Sequence, residues 1–326
     1  MAPIQLISET CTDLPKVSPA RRREIVKRPD GRAEHARLVA GIEALGRIEA
    51  RAPARPAPAP GGSARVAFWN AERCKYPDPS LDLLRRVGAD IVLLCELDLG
   101  MARSGQRHTA RELAEGLGQG YVFAAEYLEL GLGDARERAR HAGAGNRHGL
   151  HGAAILAPTP LASPALIRLE TGGAWFDGAN GERRVGGRIA LAAMMPVSGV
   201  DVVFVSVHFE SHSDPGYRAG QMGVLIDALE AYAPGAPVVI GGDFNTFSAA
   251  RGAMRDCERR AALLAEDPGR LTNPVPYEPL FDVAHAAGFD WEGCNLPGAT
   301  QRTPRGGAPK RRLGRLDWFF TRGVVA

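Results

Sequence analysis

The chain has 326 residues, of which 45% are hydrophobic and 24% charged, a balance that fits a folded globular protein and excludes a disordered one. No apolar run reaches the roughly 18 to 20 residues that cross a bilayer, and the N-terminus lacks the apolar segment of a signal peptide. The five cysteines are scattered and form no C-x-x-C pair, which argues against a disulfide framework and a cysteine zinc site. We therefore expect a cytoplasmic protein without a membrane span.

The net charge of +3 is unevenly distributed along the chain. Residues 64–301 carry 22 basic and 29 acidic side chains, whereas residues 302–326 carry seven basic and one acidic. A compact basic cluster of this kind is a candidate binding site for a polyanion. Its members are Arg302, Arg305, Lys310, Arg311, Arg312 and Arg315.

The first 63 residues are predicted to precede the main domain. Residues 32–50 carry apolar side chains near helical spacing, which predicts one amphipathic helix inside an N-terminal extension of residues 1–50. Residues 51–63 are rich in Ala, Pro and Gly, the composition of a semi-rigid linker. We therefore expect a boundary near Ser63 and a single domain over residues 64–326.

Beyond the linker, short strand-like runs alternate with helical patterns. Strands are predicted at 65–70, 90–96, 121–127, 151–157, 187–195, 201–208, 237–241 and 316–321. Helices are predicted at 80–87, 109–117, 217–231 and 279–287. This mixture predicts a sandwich of sheets and helices in one domain.

One predicted strand ends in a pair of polar side chains suited to handling water. Two glycines follow the apolar run 238–240 and allow a sharp turn, after which Asp243 and Asn245 stand two residues apart and can point the same way. A carboxylate beside an amide can orient and deprotonate a water molecule. The alternative is an Asx turn that only ends a strand.

Three more predicted strands also end in polar residues. One ends in Glu96, one in Asn70 followed by Glu72, and one in His208. Carboxylate and amide oxygens are hard ligands that suit Mg²⁺ or Mn²⁺ better than zinc. A lone histidine is more often structural, but His208 falls at the same edge as the carboxylates if the strands are antiparallel neighbours.

Seven short motifs, each weak alone but all in the same order, resemble the exonuclease–endonuclease–phosphatase superfamily, which includes deoxyribonuclease-I-like nucleases. They are Trp69-Asn70, Leu94-Cys95-Glu96, the run 151–156, Val207-His208-Phe209, Arg218-x-x-Gln221, the run 242–245 and the run 316–320. The stretch from Glu96 to Leu130 resembles a bacterial branch of that superfamily. The resemblance implies an α+β fold, a four-layer α/β/β/α sandwich of two mostly antiparallel sheets, here with an N-terminal helical extension. It also implies metal-dependent hydrolysis of phosphate esters, nucleic acids among them.

Carried over position by position, the resemblance assigns roles to individual side chains. It makes Glu96 the principal ligand of Mg²⁺ or Mn²⁺ and Glu72 a second carboxylate near the ion, and it places Arg188 and His151 on the substrate phosphate. Glu72 and Arg188 have an alternative reading as surface ion-pair partners. Asp243 would activate the attacking water. The side chains implied in catalysis are Asp243, Asn245, His208, Asn70 and Asp317.

One part of the superfamily pattern is not found in the sequence. Members follow the strand of the Asp317 position with a Ser-Asp-His element whose histidine that aspartate holds, and no such element occurs before Ala326. Either that element and the last strand lie outside this sequence, or another group substitutes, the candidates being His151, His212 and His148.

Two alternatives to an enzyme remain. One is a non-catalytic protein on the same fold that binds nucleic acid or another polyanion through residues 302–315. The other is a scaffold whose residues 1–50 dock a partner. The acidic body argues against a broad face for duplex DNA, because counterion release would require an extended basic surface.

Overall fold

The computed structural model describes residues 6–178, 181–302 and 313–325. Its strands are β1 (Leu6–Ile7), β2 (Thr10–Cys11), β3 (Ile48–Arg51), β4 (Val66–Arg73), β5 (Ile91–Leu99), β6 (Gly120–Glu129), β7 (Leu150–Ala157), β8 (Ala162–Arg168), β9 (Arg184–Gly186), β10 (Ile189–Val197), β11 (Val200–His208), β12 (Val238–Asp243) and β13 (Asp317–Arg322). Its α-helices are α1 (Pro19–Val26), α2 (Arg32–Gly41), α3 (Pro77–Val87), α4 (Thr109–Leu117), α5 (Ala135–Arg140), α6 (Pro215–Tyr232), α7 (Arg251–Arg255), α8 (Cys257–Glu266) and α9 (Leu280–Ala286).

The strands form two mixed sheets. The first has the order β1-β8-β10-β11-β12-β13, and the second has the order β2-β3-β6-β7-β5-β4, with β9 added beside β6. Most neighbours are antiparallel, and the parallel pairs are β11 with β12, β2 with β3, and β4 with β5. The predicted α+β fold of mostly antiparallel sheets is confirmed, as are all eight predicted strands and all four predicted helices, apart from shifts of a few residues at their ends.

Three apolar clusters show that the two sheets and the helices lie in layers. Leu93 of β5 packs with Leu191 of β10 and Phe204 of β11 between the two sheets. Its neighbours Val92 and Leu94 point the other way, into a cluster shared with helices α1 to α4. The outer face of the first sheet is covered by α6 and α9. Strand β5 is therefore buried on both faces, which explains its continuous apolar sequence.

The N-terminal segment differs from its prediction, because residues 32–50 do not form one helix. Helix α2 ends at Gly41, a 3-10 turn follows at Glu43–Gly46, and β3 begins at Ile48, which is fully buried between the sheets. Strand β1 joins the first sheet, while β2 and β3 join the second. The helical reading fails after Gly41 because periodicity alone does not separate a short buried strand from a helical turn.

The predicted linker also lies against the sandwich. The N–H of Ala57 donates to the carbonyl of Pro158 at 3.0 Å, and the N–H of Ser198 donates to the carbonyl of Pro60 at 3.1 Å. The N–H of Gly62 donates to Ser198 Oγ at 2.7 Å. In the described part of the chain, the expected boundary near Ser63 corresponds to no break in the fold, because strands on both sides of it share one sheet.

Two further expectations concern charge and membranes. Of the predicted basic cluster, Arg305, Lys310, Arg311 and Arg312 lie outside the described residues, whereas Arg302 and Arg315 lie within them. None of the helices in residues 6–178, 181–302 and 313–325 combines the length and the apolar character needed to cross a membrane.

Candidate active site

Strand register brings the predicted polar residues to one edge of the sandwich. Parallel pairing of β11 with β12 places His208 beside Asp243, and antiparallel pairing of β12 with β13 places Asp317 on the other side of Asp243. In the second sheet, parallel pairing of β4 with β5 sets Asn70 beside Cys95, the residue before Glu96. Both sheets therefore contribute acidic and amide groups to the same edge.

The amide of Asn70 links the carboxylates of the two sheets. Its Nδ2 donates to Glu96 Oε1 at 3.2 Å and to Asp243 Oδ2 at 2.9 Å. The other oxygen of Asp243, Oδ1, accepts the N–H of Asn245 at 2.9 Å. The Asn245 side chain donates to the carbonyl of Phe209 at 3.0 Å, which ties this turn to the end of β11. The orientation of the Asp243 carboxylate is thus fixed by a hydrogen bond at each oxygen.

Two of these residues have left-handed backbone conformations. Glu96 has φ of +56° at an irregularity in the pairing of β5 with β7, and Asn245 has φ of +51°. This conformation costs roughly 1 kcal/mol or more for a residue with a side chain, and such strain collects at functional sites. The irregularity re-aims Glu96, so that it lines the cleft while its neighbour Cys95 is buried in the core between the sheets.

Among Glu96, Asp243 and Asp317, the neighbouring carboxylates hinder the ionisation of Asp243 and Asp317. Burial and the neighbouring Asp317 raise the pKa of Asp243 to about 8, and burial and Glu96 raise the pKa of Asp317. Burial also opposes ionisation of Glu96, yet neighbouring groups, Arg73 and the Asn70 amide among them, hold its pKa at about 2. Among the described residues, no lysine or arginine forms an ion pair with Glu96, Asp243 or Asp317. The cluster therefore holds negative charge without a direct cationic partner.

Arg188 lies behind His208 and is buried, so the surface reading of this arginine is wrong. Its Nη1 donates to Glu126 Oε1 at 2.9 Å and to His208 Nδ1 at 2.8 Å, and its Nε donates to Glu210 Oε2 at 3.2 Å. Burial and Arg188 lower the pKa of His208 well below its ordinary value, so the ring is neutral. His208 Nε2 lies 3.9 Å from Asp243 Oδ2. Arg188 thus contacts His208, and His208 in turn lies beside Asp243 of the carboxylate cluster.

His151 belongs to a buried ion-pair network in the second sheet. Its Nδ1 is 2.9 Å from Asp98 Oδ1, and Arg103 donates to both oxygens of Asp98 at 2.7 and 2.8 Å. Arg103 also lies 3.2 Å from Glu129. The sequence analysis did not predict this network, nor a role for Glu126 and Glu210. The available signal was the presence of charged residues inside the otherwise apolar strands β5 and β6.

Glu72 lies at the rim of the cleft rather than in the carboxylate cluster. Its half-exposed side chain forms ion pairs with Arg302 at 2.8 Å and with Lys75 at 3.5 Å. No contact joins its carboxylate to Glu96 in the described part of the chain. This position agrees with the alternative reading of Glu72 as an ion-pair partner.

The other candidates for the histidine of the superfamily pattern lie elsewhere. His212 stacks edge-on against Trp175 and its Nε2 is 2.9 Å from an Arg255 nitrogen. His148 and His151 likewise make no hydrogen bond to Asp317 among the described residues. The backbone N–H of Asp317 is held by Thr300 Oγ1 at 3.0 Å.

The cluster lies in a cleft of about 1510 Å³. Asn70, Glu96, Asp243 and Asp317 line it together with a basic and aromatic rim. The rim includes Tyr76, Arg136, Arg140, Arg302 and Arg315. The cleft therefore has acidic oxygens in one part and basic side chains in others. The carboxylates could bind a metal ion, and the basic side chains could bind an anionic substrate.

Glu96, Asp243 and Asp317 supply the carboxylate oxygens that a hard divalent cation prefers. Burial, together with a neighbouring carboxylate, raises the pKa of Asp243 and of Asp317, and a nearby cation would favour their ionised form. The oxygens of these three residues do not all lie within 4.8 Å of one another; a second acidic group, Asp134, Glu137 and Glu182, is the one among the described residues that meets this condition. Arg73 already pairs with all three of its carboxylates, so this second group lacks the same demand for a cation.

The sequence profile of the Endonuclease/Exonuclease/phosphatase family matches residues 67–326. The chain belongs to this family, whose members are typically hydrolases of phosphate esters. The match covers every strand that contributes to the carboxylate cluster. No curated protein matches the sequence significantly.

Solved structures with similar folds are distant in sequence. An endonuclease/exonuclease/phosphatase from Beutenbergia cavernae has a TM-score of 0.50 and 20% identity; the alignment covers 80% of this chain and 64% of that one. The human Nocturnin catalytic domain with bound sulfate has a TM-score of 0.48 and 16% identity over 85% of each chain. A mannosyl-6-phosphatase from Bacteroides thetaiotaomicron has a TM-score of 0.45 and 16% identity, covering 80% of this chain and 86% of that one.

Proposed function

We propose that this chain hydrolyses phosphate esters, as a phosphodiesterase, nuclease or phosphatase, with Mg²⁺ or Mn²⁺ held by Glu96. The observation that carries the proposal is the carboxylate cluster of Glu96, Asp243 and Asp317. Asn70 joins Glu96 to Asp243, Asp317 pairs with Asp243 in strand register, and none of the three has a lysine or arginine ion pair among the described residues. When bound, a divalent cation offsets the charge that builds on phosphate oxygens in the transition state. Hard oxygen ligands favour these two ions over zinc.

Asp243 is the proposed general base for the attacking water. Its two hydrogen bonds, from Asn70 and from the backbone of Asn245, fix the direction of its lone pairs. Burial makes its carboxylate a stronger proton acceptor than an exposed aspartate, as a base acting near neutral pH requires. Arg188 Nη1 lies 2.8 Å from Nδ1 and 3.2 Å from Nε2 of His208. In the neutral ring, one of these nitrogens accepts from Arg188, and the other carries the hydrogen that is proposed to be donated to a phosphate oxygen.

The roles proposed for the remaining residues follow from their places. Asn70 and the backbone of Asn245 hold the base, and Asn70 lines the cleft in which the phosphate would bind. Asp317 adds charge beside Asp243. Arg188 orients His208, and His151, held by Asp98, is proposed to act on the substrate phosphate only through its charge near Glu96. We leave Glu72 out of the proposed ligand set because its carboxylate is paired at the rim.

We also propose a cytoplasmic location. All five cysteines are free thiols, two of them buried. Unpaired cysteines, both buried and exposed, are ordinary in a reducing compartment and unusual in small secreted domains.

The test is turnover of bis-p-nitrophenyl phosphate by the purified chain with Mg²⁺ or Mn²⁺, compared with the same protein in EDTA. Glu96→Gln and Asp243→Asn should each lower kcat by about 10²-fold or more, because each removes a group that acts on the reacting atoms. Glu258→Gln, an exposed glutamate of α8, is the matched control and should retain full activity.

Circular dichroism must show that all three variants are folded. Metal-independent turnover, or more than about a tenth of wild-type activity in Glu96→Gln, would contradict the proposal. Binding of an oligonucleotide without any turnover would instead favour the non-catalytic alternative.

A further inference from the structure

Arg315 is exceptional among the buried arginines of the described chain. Seven arginines are less than 9% exposed: Arg22, Arg103, Arg184, Arg188, Arg218, Arg270 and Arg315. The first six donate to carboxylates or to backbone carbonyls; Arg218, for example, donates to both oxygens of Glu278. The guanidinium of Arg315 has no such partner among the described residues, and its buried Nε is without a hydrogen bond.

No acidic side chain in the rest of the sequence can supply the missing partner. Residues 303–312 contain Arg305, Lys310, Arg311 and Arg312 but no aspartate or glutamate, and residues 1–5 and 179–180 contain none either. Within the given sequence, every acidic side chain therefore lies in the described residues, where none pairs with Arg315. A buried cation without a counter-anion is costly, so a site of this kind favours an anionic ligand.

The guanidinium is presented to the cleft in a fixed orientation. Its carbon lies 4.1 Å above the centre of the Trp318 ring, and Arg315 and Trp318 both line the cleft. Trp318 is itself held by a 3.0 Å hydrogen bond from its Nε1 to Thr246 Oγ1. Stacking uses the face of the guanidinium rather than its edge, and the edge of a guanidinium is the part that matches a phosphate through two parallel hydrogen bonds.

Arg315 and the carboxylate cluster are separate points in the same cleft. Among the described residues, no ion pair or hydrogen bond joins Arg315 to Glu96, Asp243 or Asp317, although all four line the cleft. The guanidinium therefore does not neutralise the cluster directly. It is free to bind an anionic group other than the phosphate beside Glu96 and Asp243.

We infer that Arg315, stacked on Trp318, binds a phosphate of the substrate other than the one that is hydrolysed. The inference rests on the proposed function, and it names the substrate class: phosphate esters with at least two phosphate groups.

The kinetic test compares two substrates that differ by one phosphate: thymidine 5′-(p-nitrophenyl phosphate) with and without a 3′-phosphate. Wild-type protein should prefer the doubly phosphorylated substrate by at least about tenfold in kcat/KM, the effect of one charge-assisted contact. Arg315→Met should remove most of that preference, and Arg315→Lys should keep part of it. Arg23→Met, at an exposed arginine of α1, removes the same charge and should keep the full preference. Equal loss in Arg315→Met and Arg23→Met, or an unchanged preference in Arg315→Met, would overturn the inference.

A binding test in EDTA separates this inference from the proposed function. Thymidine 3′,5′-bisphosphate should raise the Tm of the wild type more than thymidine 5′-monophosphate does, and the difference should vanish in Arg315→Met. The variant should fold, since it loses only an unpaired buried charge. If the protein hydrolyses nothing but shows this difference, the proposed function fails and the phosphate site stands. A wild-type Tm that responds equally to both nucleotides overturns the site. Replacing the nucleotide with inositol 1,4-bisphosphate distinguishes a nucleotide source of the second phosphate from a polyol source.

Discussion

At the scale of single residues, the amide of Asn70 has an unusual position, because one NH₂ group donates to carboxylates of both sheets. Glu96 comes from β5 and Asp243 from β12, and the two donor distances are 3.2 and 2.9 Å. An amide can satisfy two acceptors without adding charge, which a lysine in its place could not do. The cluster is thereby ordered while its negative charge stays available for a cation.

Arg103 presents the opposite arrangement, in which buried charge is fully compensated. Its guanidinium and the Asp98 carboxylate are both completely buried. Arg103→Met should lower the free energy of unfolding by about 3 to 5 kcal/mol, because it leaves Asp98 buried without its partner. Urea denaturation of the variant measures this loss.

The control for Arg103 is an exposed pair of the same chemistry. Arg85 and Asp82 on α3 are 3.4 Å apart and mostly exposed. Arg85→Met should change stability by less than about 1 kcal/mol. Equal losses in the two variants would show that the buried network contributes no more than a surface ion pair.

The sequence supplies the residues of the carboxylate cluster but not their supporting partners. Asp243 and Glu96 stand directly at the ends of apolar runs, so their shared edge follows from strand order. Arg103 and Glu129 come from different elements, and only the fold brings their charges together. The stacking of Arg315 on Trp318 is equally invisible in the sequence, where Arg315 is one of several arginines.

At the scale of elements, the segment before β4 is an integral part of both sheets. Ile25 of α1 and Leu38 of α2 are buried in the cluster under the second sheet, and Ile48 of β3 is buried between the sheets. Deleting residues 1–62 should therefore prevent folding. Soluble yield and circular dichroism of residues 63–326 measure this, and a folded, active fragment would show that the strands of the N-terminal segment are dispensable.

A single substitution tests the same element without removing it. Ile48→Ala should cost about 2 to 5 kcal/mol, since it opens a cavity between two sheets. Val200→Ala, at a residue 51% exposed, is the matched control and should cost less than about 0.5 kcal/mol. Urea denaturation measures the free energy of unfolding of both variants. If both lose only a small amount, β3 does not belong to the cooperative core.

The elements that sequence reasoning recovered share a physical property. Strands such as β5 and β12 are long, apolar and bounded by polar residues, so their local signal agrees with their tertiary role. Strands β1, β2 and β3 are only two to four residues long and take their register from partners far along the chain. No local pattern distinguishes such short strands from helix ends or linkers.

At the scale of the whole molecule, the candidate metal site joins the two sheets. Glu96 and Asn70 belong to the second sheet, and Asp243 and Asp317 belong to the first. Burial raises the pKa of Asp243 and of Asp317, and the Glu96 carboxylate of the other sheet raises both further. A cation at this place would favour the ionised carboxylates and hold the sheets together, so its binding should be visible as stability of the entire sandwich.

We therefore expect Mg²⁺ or Mn²⁺ to raise the Tm of the metal-free protein by several degrees. A ligand at about 100 times its Kd stabilises the folded state by roughly 2.7 kcal/mol, and for a domain of this size each kcal/mol shifts Tm by about 2 to 4 °C. The measurement is differential scanning calorimetry after EDTA treatment, with NaCl at equal ionic strength to separate screening from binding. Glu96→Gln should lose most of the shift, whereas Glu258→Gln should keep it. A shift of equal size in NaCl, or an undiminished shift in Glu96→Gln, would mean that the cation does not bind between the two sheets, because only a ligand held by Glu96 depends on that carboxylate.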